Sequence, residues 1–293
     1  MVSNMRTPHE NVATRIQRVF FFHRIHIYYK YFELQFKSIL TYKFSFISTS
    51  TLDVVTPLFF IMLWSAVASL SKDKKIGDFD QNGIIGYYLI GILLQRLGST
   101  YISKHLIKLI KNKYEQNASF FLLNSLNIAL SITLSFLSKI IATLIFTSII
   151  IISVFILFPP IRLSVNLSLI NVISFLLFII IGFCINALFN TLMGLLRFYS
   201  VSASSFRSIT FNFITFLSGQ FIPLSFLSQG FKNAISFLPF AYTYYFPLSI
   251  ILGKKSPNEI LIGFVISITW ILLLLCMATY MYKRGIKYFE NFD

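Results

Sequence analysis

The amino-acid sequence predicts an all-α integral membrane protein whose chain crosses the bilayer six times. Several long stretches contain no Asp, Glu, Lys or Arg, among them residues 140–161, 163–196, 208–231, 233–253 and 260–282. Of the 293 residues, 56% are hydrophobic and only 12% are charged, whereas soluble domains contain about 25% charged residues. Because lipid offers the backbone no hydrogen-bond partners, apolar stretches of about 20 residues are expected to cross as helices.

The six predicted spans follow the apolar stretches in chain order. They cover about residues 46–70, 84–103, 136–158, 169–195, 209–227 and 259–282. Together they form a predicted transmembrane domain over residues 44–293, which follows a cytoplasmic segment over residues 1–43. The first 18 residues are polar, so no cleavable signal peptide is expected.

The stretch 233–253 is predicted to form a hairpin rather than a seventh span. Pro239 and Pro247 would each interrupt the hydrogen-bond ladder of a helix. Three tyrosines lie between these prolines, and tyrosine is enriched at membrane–water interfaces. We therefore expect an outer hairpin, re-entrant or lying in the interface, over about residues 228–258, before the last span.

The distribution of lysine and arginine predicts that both termini lie in the cytoplasm. Sixteen basic residues fall in the terminal segments and in the connections after the second and fourth spans, and seven fall in the opposite connections. Basic residues accumulate on the cytoplasmic side of membrane proteins. The same rule accounts for the net charge of +15, so no nucleic-acid partner is expected, and the bilayer is the predicted partner.

Residues 22–43 predict an amphipathic helix that leads into the first span. Their apolar residues fall on one stripe of a helix with 3.6 residues per turn, and four polar residues cluster on a neighbouring face: His26, Lys30, Glu33 and Lys37. A basic amphipathic helix of this kind lies in the plane of the membrane interface. The alternative is an ordinary helix packed on other protein.

No catalytic or metal-binding constellation is predicted. The four histidines lack the spacing of metal ligands, and the two cysteines, Cys184 and Cys276, lie inside apolar stretches. Residues 253–256, Gly-Lys-Lys-Ser, resemble the end of a phosphate-binding loop but lack its upstream glycine. We therefore expect that this chain is not an enzyme, holds no cofactor and does not hydrolyse ATP by itself.

Two ionisable residues lie well inside predicted spans, Asp53 in the first and Arg96 in the second. Each is about seven residues, or about 10 Å, from the cytoplasmic end of its span, so adjacent antiparallel helices would bring the two to one depth. Charges inside a membrane are costly and indicate a functional role by default. The alternative is an intramembrane ion pair that only fixes helix packing.

A few amide side chains interrupt the apolar walls of the predicted spans. Asn186 and Asn190 in the fourth span and Asn212 and Gln220 in the fifth are candidate residues of a substrate pathway. Apolar walls with scattered hydrogen-bonding groups suit an amphipathic molecule and would not compensate a desolvated ion. The alternative is that these amides only join helices to one another.

Several stretches, taken in order, resemble the permease subunits of type-two ABC exporters, the ABC-2 family transporter proteins. They are Tyr42-Lys43 before the first span, Phe-Leu-Ser-Gly-Gln-Phe-Ile-Pro-Leu-Ser at 216–225, Leu-Pro-Phe-Ala-Tyr at 238–242, Tyr-Phe-Pro at 245–247, Arg284-Gly285, and Tyr-Phe-Glu at 288–290. The resemblance implies six spans with an outer hairpin, in a bacterial cytoplasmic membrane. It also implies a dimer of permeases, identical or related, on two separate ATPase subunits that bind ATP and Mg²⁺.

The resemblance also places a coupling helix, which docks on the ATPase, between the second and third spans. It matches about residues 107–123, and the implied polar contacts are Lys108, Lys111, Asn112, Lys113 and Glu115. Family members often have a glycine turn and a proline in this segment, whereas this chain has asparagines and no proline. A plain solvated cytoplasmic loop is the alternative.

The sequence thus predicts the membrane half of an ATP-driven exporter for an amphipathic substrate, such as a peptide antibiotic, a natural product or a lipid-like molecule. A stand-alone secondary transporter is one alternative, although it would be expected to show an inverted repeat and broken helices near the midplane. A membrane immunity or scaffold protein is another. A neighbouring ATPase gene would favour the exporter over both.

Overall fold

The computed structural model describes residues 29–34, 36–37, 41, 43–71, 74–97, 103–104, 106–107, 138, 141, 145, 165–200 and 202–290. Within them, the longer helices are α1 (Lys43–Leu70), α2 (Gln81–Leu97), α3 (Leu169–Leu195), α4 (Ala203–Leu217), α5 (Gln229–Ser236), α6 (Tyr245–Ile251) and α7 (Pro257–Glu290). Two short strands, β1 (Lys75–Ile76) and β2 (Phe79–Asp80), form an antiparallel hairpin between α1 and α2. Three 3₁₀ turns cover Leu196–Phe198, Leu224–Phe226 and Pro239–Thr243.

The described chain is mostly helical, as expected for an all-α membrane protein. Two helical stretches are long and apolar enough to cross a membrane, Leu169–Phe198 and Pro257–Gly285. A shorter apolar stretch, Val55–Leu70, forms the second half of α1. The hairpin β1–β2 is an addition that the sequence does not predict, because strands of two residues carry too little pattern to be recognised.

Local capping residues set where the two long helices begin. The Ser168 hydroxyl accepts a hydrogen bond from the Asn171 N–H at 3.3 Å at the start of α3. At the start of α7, the Ser256 N–H donates to the Glu259 carboxylate at 2.9 Å, and the Glu259 N–H donates to the Ser256 hydroxyl at 3.4 Å. This reciprocal pair is a capping box, and Pro257 occupies the first helical position, where no N–H is needed.

The helix bounds agree with the predicted spans at several ends. Helix α3 has the predicted bounds, α1 ends at the predicted Leu70, and α2 and α7 begin two or three residues before their predicted starts. Helix α4 covers Ala203–Leu217 instead of residues 209–227. The predicted third span lies outside the described residues, apart from residues 138, 141 and 145, which are helical.

Buried aromatic side chains fill the core between α1, α2 and residues 219–252. Tyr87 and Tyr88 of α2 are both fully buried, and their rings pack edge to face at 5.3 Å. Tyr244, also buried, packs edge to face on Tyr87 at 5.6 Å. Phe60 of α1 stacks on Tyr88 at 5.7 Å. This tyrosine cluster (Phe60, Tyr87, Tyr88 and Tyr244) ties α1 and α2 to the chain that follows α4.

The N-terminal part that the structure describes is consistent with the predicted amphipathic helix. Residues 29–34 and 36–37 are helical. Glu33 lies between two lysines of neighbouring turns, Lys37 and Lys30, and forms ion pairs with both. Hydrogen bonds from Lys37 and then from Lys30 lower the pKa of the Glu33 carboxyl below its usual value. The acidic residue therefore stays ionised within a basic face.

Candidate functional site

The chain breaks out of helix directly after α4, and aromatic donors from α1 and α2 satisfy the freed carbonyls. Gly219 adopts a φ of +88°, a conformation that glycine reaches at little cost. Its carbonyl accepts a hydrogen bond from the Tyr87 hydroxyl at 2.8 Å. The Phe221 carbonyl accepts two, from the Tyr88 hydroxyl at 2.9 Å and from the Trp64 indole N–H at 3.1 Å. These three bonds form what we call the aromatic clasp.

The same break is bonded to the segment that precedes α7. The Tyr245 N–H, at the start of α6, donates to the Ser218 carbonyl at 3.0 Å. Tyr245 and Tyr244 are both buried. An unpaired buried carbonyl costs about 1–3 kcal/mol, so pairing these groups lets irregular backbone persist inside an apolar core.

Helices α5 and α6 form a hairpin whose tip, residues 237–243, reaches the middle of α3. A Cβ atom at Gly182, the midpoint of α3, would lie 3.1 Å from the Cα atom of Thr243 and 3.1 Å from the Tyr242 carbonyl oxygen. At 1.5 Å per residue, this contact is about 20 Å from either end of α3. The Trp270 indole of α7 donates to the Phe237 carbonyl at 2.7 Å. The tip is thus held from two sides, at the level of the centre of α3.

A polar cavity of about 500 Å³ lies between the start of α2, the residues that precede α3 and the residues that follow α6. Its polar lining residues are Asp80, Asn82, Asn166 and Lys254. Asp80 is partly used as a helix cap, because its carboxylate accepts the Gly83 N–H at 3.3 Å. Asn166 is also engaged, since its side-chain oxygen accepts the Ser168 N–H at 3.1 Å. These contacts account for two of its polar groups as local structure.

A second cavity of about 330 Å³ is wholly apolar and opens between α3, α4, α7 and the hairpin tip. We call it the apolar groove; its lining includes Phe189, Leu196, Phe206, Phe240, Trp270 and Met281. Phe189 packs edge to face on Phe240 at 5.2 Å and closes one wall. Phe206 is 54% exposed, so the groove is open to the surroundings of the protein along α4.

None of the four candidate pathway amides lines either of these two cavities. Asn190 is buried and lies 2.9 Å from the Ser103 hydroxyl, which donates to its side-chain oxygen. Its amide group donates to the Asn186 carbonyl at 2.8 Å. Asn212 is exposed on α4, and Gln220 is half-buried in the break that follows it. Asn190 therefore joins helices, and the substrate pathway through these residues stays a prediction.

The structure describes the backbone of the predicted ion pair and none of the predicted coupling residues. Asp53 lies in α1 and Arg96 in α2, but their side chains are not among those described. Lys108, Lys111, Asn112, Lys113 and Glu115 all lie outside the described residues. Both sites stay predictions. No group of three or more His, Cys, Asp or Glu side chains that could hold a metal ion is found among the residues that the structure describes.

No local pattern in the sequence singles out the donors of the aromatic clasp, Trp64, Tyr87 and Tyr88. A signal was present, because Tyr and Trp carry one polar group that seeks a partner when buried. Their acceptors, however, lie 132 to 157 residues further along the chain. Local pattern alone does not connect them.

Comparison with protein-family models gives a match over residues 28–291 to a family described as ABC-2 family transporter protein. The matched range includes every helix that the structure describes from α1 to α7. A comparison with curated proteins found no match, and a comparison with solved structures found none.

Proposed function

The chain belongs to the ABC-2 family of transporter proteins, and from this premise we propose that it is the permease subunit of an ATP-driven exporter. The observation that carries the proposal is the extent of the family match, residues 28–291. In the proposed complex, two permease chains, identical or related, stand on two separate ATPase subunits, which bind ATP and Mg²⁺. The complex lies in a bacterial cytoplasmic membrane, with both permease termini in the cytoplasm.

The hairpin α5–α6 is proposed to re-enter the membrane from the outer face. Its tip contacts the midpoint of α3, and α3 is long enough to cross the bilayer. Irregular backbone is tolerated at membrane depth only where protein or a polar cavity satisfies its polar groups. Two bonds at the tip supply such partners. The Trp270 indole N–H donates to the Phe237 carbonyl, and the Tyr242 hydroxyl donates to the Ser236 carbonyl at 2.9 Å.

Transport follows from coupling between the ATPase and the spans. ATP binding closes the ATPase dimer, and the segment around residues 107–123 transmits that movement to the permease. The permease dimer then changes which side of the membrane its pathway faces. A stand-alone secondary transporter is less well supported, since it would need coupling-ion sites of its own near the midplane.

The proposed substrate is amphipathic, for example a hydrophobic peptide, a natural product or a lipid-like molecule. Apolar side chains dominate the walls of the long helices, as they do in most sites that bind organic ligands. Scattered amides, such as the half-buried Asn186 and Gln220, add hydrogen-bonding groups. Walls of this kind would not replace the hydration shell of a small ion.

We expect the chain alone, reconstituted in liposomes, to hydrolyse no ATP, because ATP binding is assigned to the partner. Addition of a partner ABC ATPase should confer hydrolysis and drive export of a labelled hydrophobic peptide or lipid in inside-out vesicles. A catalytically inactive ATPase provides the matched control. Hydrolysis by the chain alone, or accumulation of inorganic ions or sugars with no response to hydrophobic peptides or lipids, would contradict the proposal.

The double substitution Lys111→Ala/Glu115→Ala is expected to uncouple transport while membrane insertion stays normal. Both residues lie in the segment that the family resemblance assigns to ATPase docking. A loss of ATPase stimulation of about tenfold would match typical coupling free energies. The control is Lys74→Ala/Lys75→Ala, which changes two exposed charged residues at the start of β1. Full stimulation and transport by the first double variant would show that the contact lies elsewhere.

A further inference from the structure

The apolar groove ends at a cluster of basic residues. Arg197 directly follows Leu196 of the groove lining, and Arg207 directly follows Phe206. Arg284 lies one helical turn beyond Met281 on α7. We call these three arginines the basic rim. Residues 194–210 contain no Asp or Glu, and Lys283 and Lys287 add positive charge beside Arg284.

Contacts between the turn after α3 and the end of α7 bring Arg197 and Arg284 close together. The Tyr199 hydroxyl donates to the Met281 carbonyl at 2.9 Å. A Cβ atom at Gly285 would lie 2.7 Å from the ring of Phe198. The turn after α3 therefore lies directly against the last turns of α7, which places Arg197 and Arg284 at the same end of the groove. Phe206 lines the same groove, so its neighbour Arg207 is close to it as well.

The lining of the groove fits a flexible hydrocarbon chain. It exposes only apolar atoms, so it offers a ligand no hydrogen bond. Three of the six methionines of the chain line it, Met193, Met277 and Met281. Methionine is unbranched and polarisable, and adapts to irregular apolar partners. The volume of about 330 Å³ lies within the range of ligand sites.

The rim also holds a buried donor that no described protein group engages. Among the residues that the structure describes, the buried Arg207 Nε atom has no hydrogen-bond partner, while the Nη2 atom of the same side chain donates to the Ser208 hydroxyl at 3.3 Å. A guanidinium presents its N–H groups in a fork that matches phosphate oxygens. Apolar groove and cationic rim are thus complementary to the two halves of one kind of molecule.

We propose that the apolar groove and the basic rim form a binding site for an anionic phospholipid of the inner leaflet. One acyl chain occupies the groove, and the phosphate lies against Arg207 and Arg284. This lipid is a bound component of the permease rather than its cargo, so the site does not depend on the ATPase or on the exported substrate.

The test is native mass spectrometry of the full chain, titrated with phosphatidylglycerol or phosphatidylcholine that carry identical acyl chains. We expect the wild type to retain phosphatidylglycerol preferentially. The variant Arg207→Gln/Arg284→Gln should bind it about 30-fold more weakly, since each basic residue near a membrane surface contributes roughly fivefold. Lys74→Gln/Lys75→Gln, which removes the same charge beside β1, should bind like the wild type. Arg207→Lys/Arg284→Lys keeps the charge and should keep the preference for phosphatidylglycerol.

A second arm tests the groove. Met277→Trp fills it and should weaken retention of both lipids, whereas Leu272→Trp, on an exposed part of α7 outside the lining, should not. Equal retention of the two lipids by the wild type would overturn the proposal. So would equal effects of Arg207→Gln/Arg284→Gln and of Lys74→Gln/Lys75→Gln. Loss of a permease dimer in Met277→Trp with unchanged lipid binding would assign the groove to a second copy of the chain instead.

Discussion

Replacement of Gly91 by alanine is expected to destabilise the protein strongly, because the added methyl group has no space. Gly91 is buried in α2 beneath the ring of Tyr244. A Cβ atom there would lie 2.5 Å from the Cζ atom of Tyr244 and closer still to its hydroxyl. Tyr244 is only 2% exposed and packs on Tyr87, so its ring has no free space to move into.

Overpacking of this kind costs about 1–3 kcal/mol, and the rigid surroundings place Gly91→Ala at the upper end. Thermal unfolding of the detergent-solubilised protein, followed by fluorescence-detected size exclusion, measures the loss. The matched control is Gly230→Ala in α5, where a Cβ atom would meet nothing within 4 Å. That change should be neutral or stabilising by about 0.5–1 kcal/mol, because alanine favours helix over glycine. Equal melting temperatures for the two variants would refute the packing argument.

Removal of either Asp53 or Arg96 is expected to cost about 3–5 kcal/mol, because the remaining charge would be left without compensation in an apolar setting. The geometry of the helices agrees with a pair. Asp53 lies 17 residues before the end of α1 and Arg96 lies 15 residues after the start of α2. At 1.5 Å per residue, these are about 26 Å and 23 Å from the connected ends of the two helices. The Asp53 carbonyl also lacks its usual helical donor, because Pro57 has no N–H.

A double-mutant cycle tests the pair. Asp53→Asn and Arg96→Gln should each lower the melting temperature strongly, and the double variant should be milder than either single change. The same measurement on Asp78→Asn and Lys232→Gln provides a comparison. This surface pair lies at 3.2 Å, with Asp78 exposed and Lys232 half-buried, and its effects should be within about 1 kcal/mol. Additive losses for Asp53 and Arg96 would mean that the two side chains do not interact.

The parts of the fold that follow from local sequence were predicted well, and those that depend on distant contacts were not. Helix α3 begins at Leu169 because Ser168 caps it, and that signal is written in neighbouring residues. The end of α4 at Leu217 is different, because it lies inside the uncharged stretch 208–231, which the sequence treats as one span. Beyond Leu217 the chain leaves the helix at Gly219, whose φ is +88°. The carbonyls of Gly219 and Phe221 then pair with Tyr87, Tyr88 and Trp64 from distant parts of the chain.

The candidate site shows the same division. A charge-poor span points to Asn190 as a polar group that needs a partner, and the structure supplies Ser103 from a helix 87 residues earlier. The apolar groove, by contrast, is lined by residues that look like ordinary span residues in the sequence. Its shape arises only when the hairpin tip is placed against α3 and α7. The residue types therefore predict an apolar surface but not the shape of the groove.

The aromatic clasp has a kinematic consequence for any transport cycle. Its three bonds link the ends of α1 and α2 that adjoin β1–β2 to the end of α4, and the Tyr245 N–H adds the hairpin to the same body. Within lipid, a broken backbone bond finds no water to replace it and costs several kcal/mol. The ends of α1, α2 and α4 that these bonds join are therefore expected to move together as one rigid unit. In the proposed orientation the opposite ends of these helices face the cytoplasm, so movement of the proposed ATPase would displace those ends most.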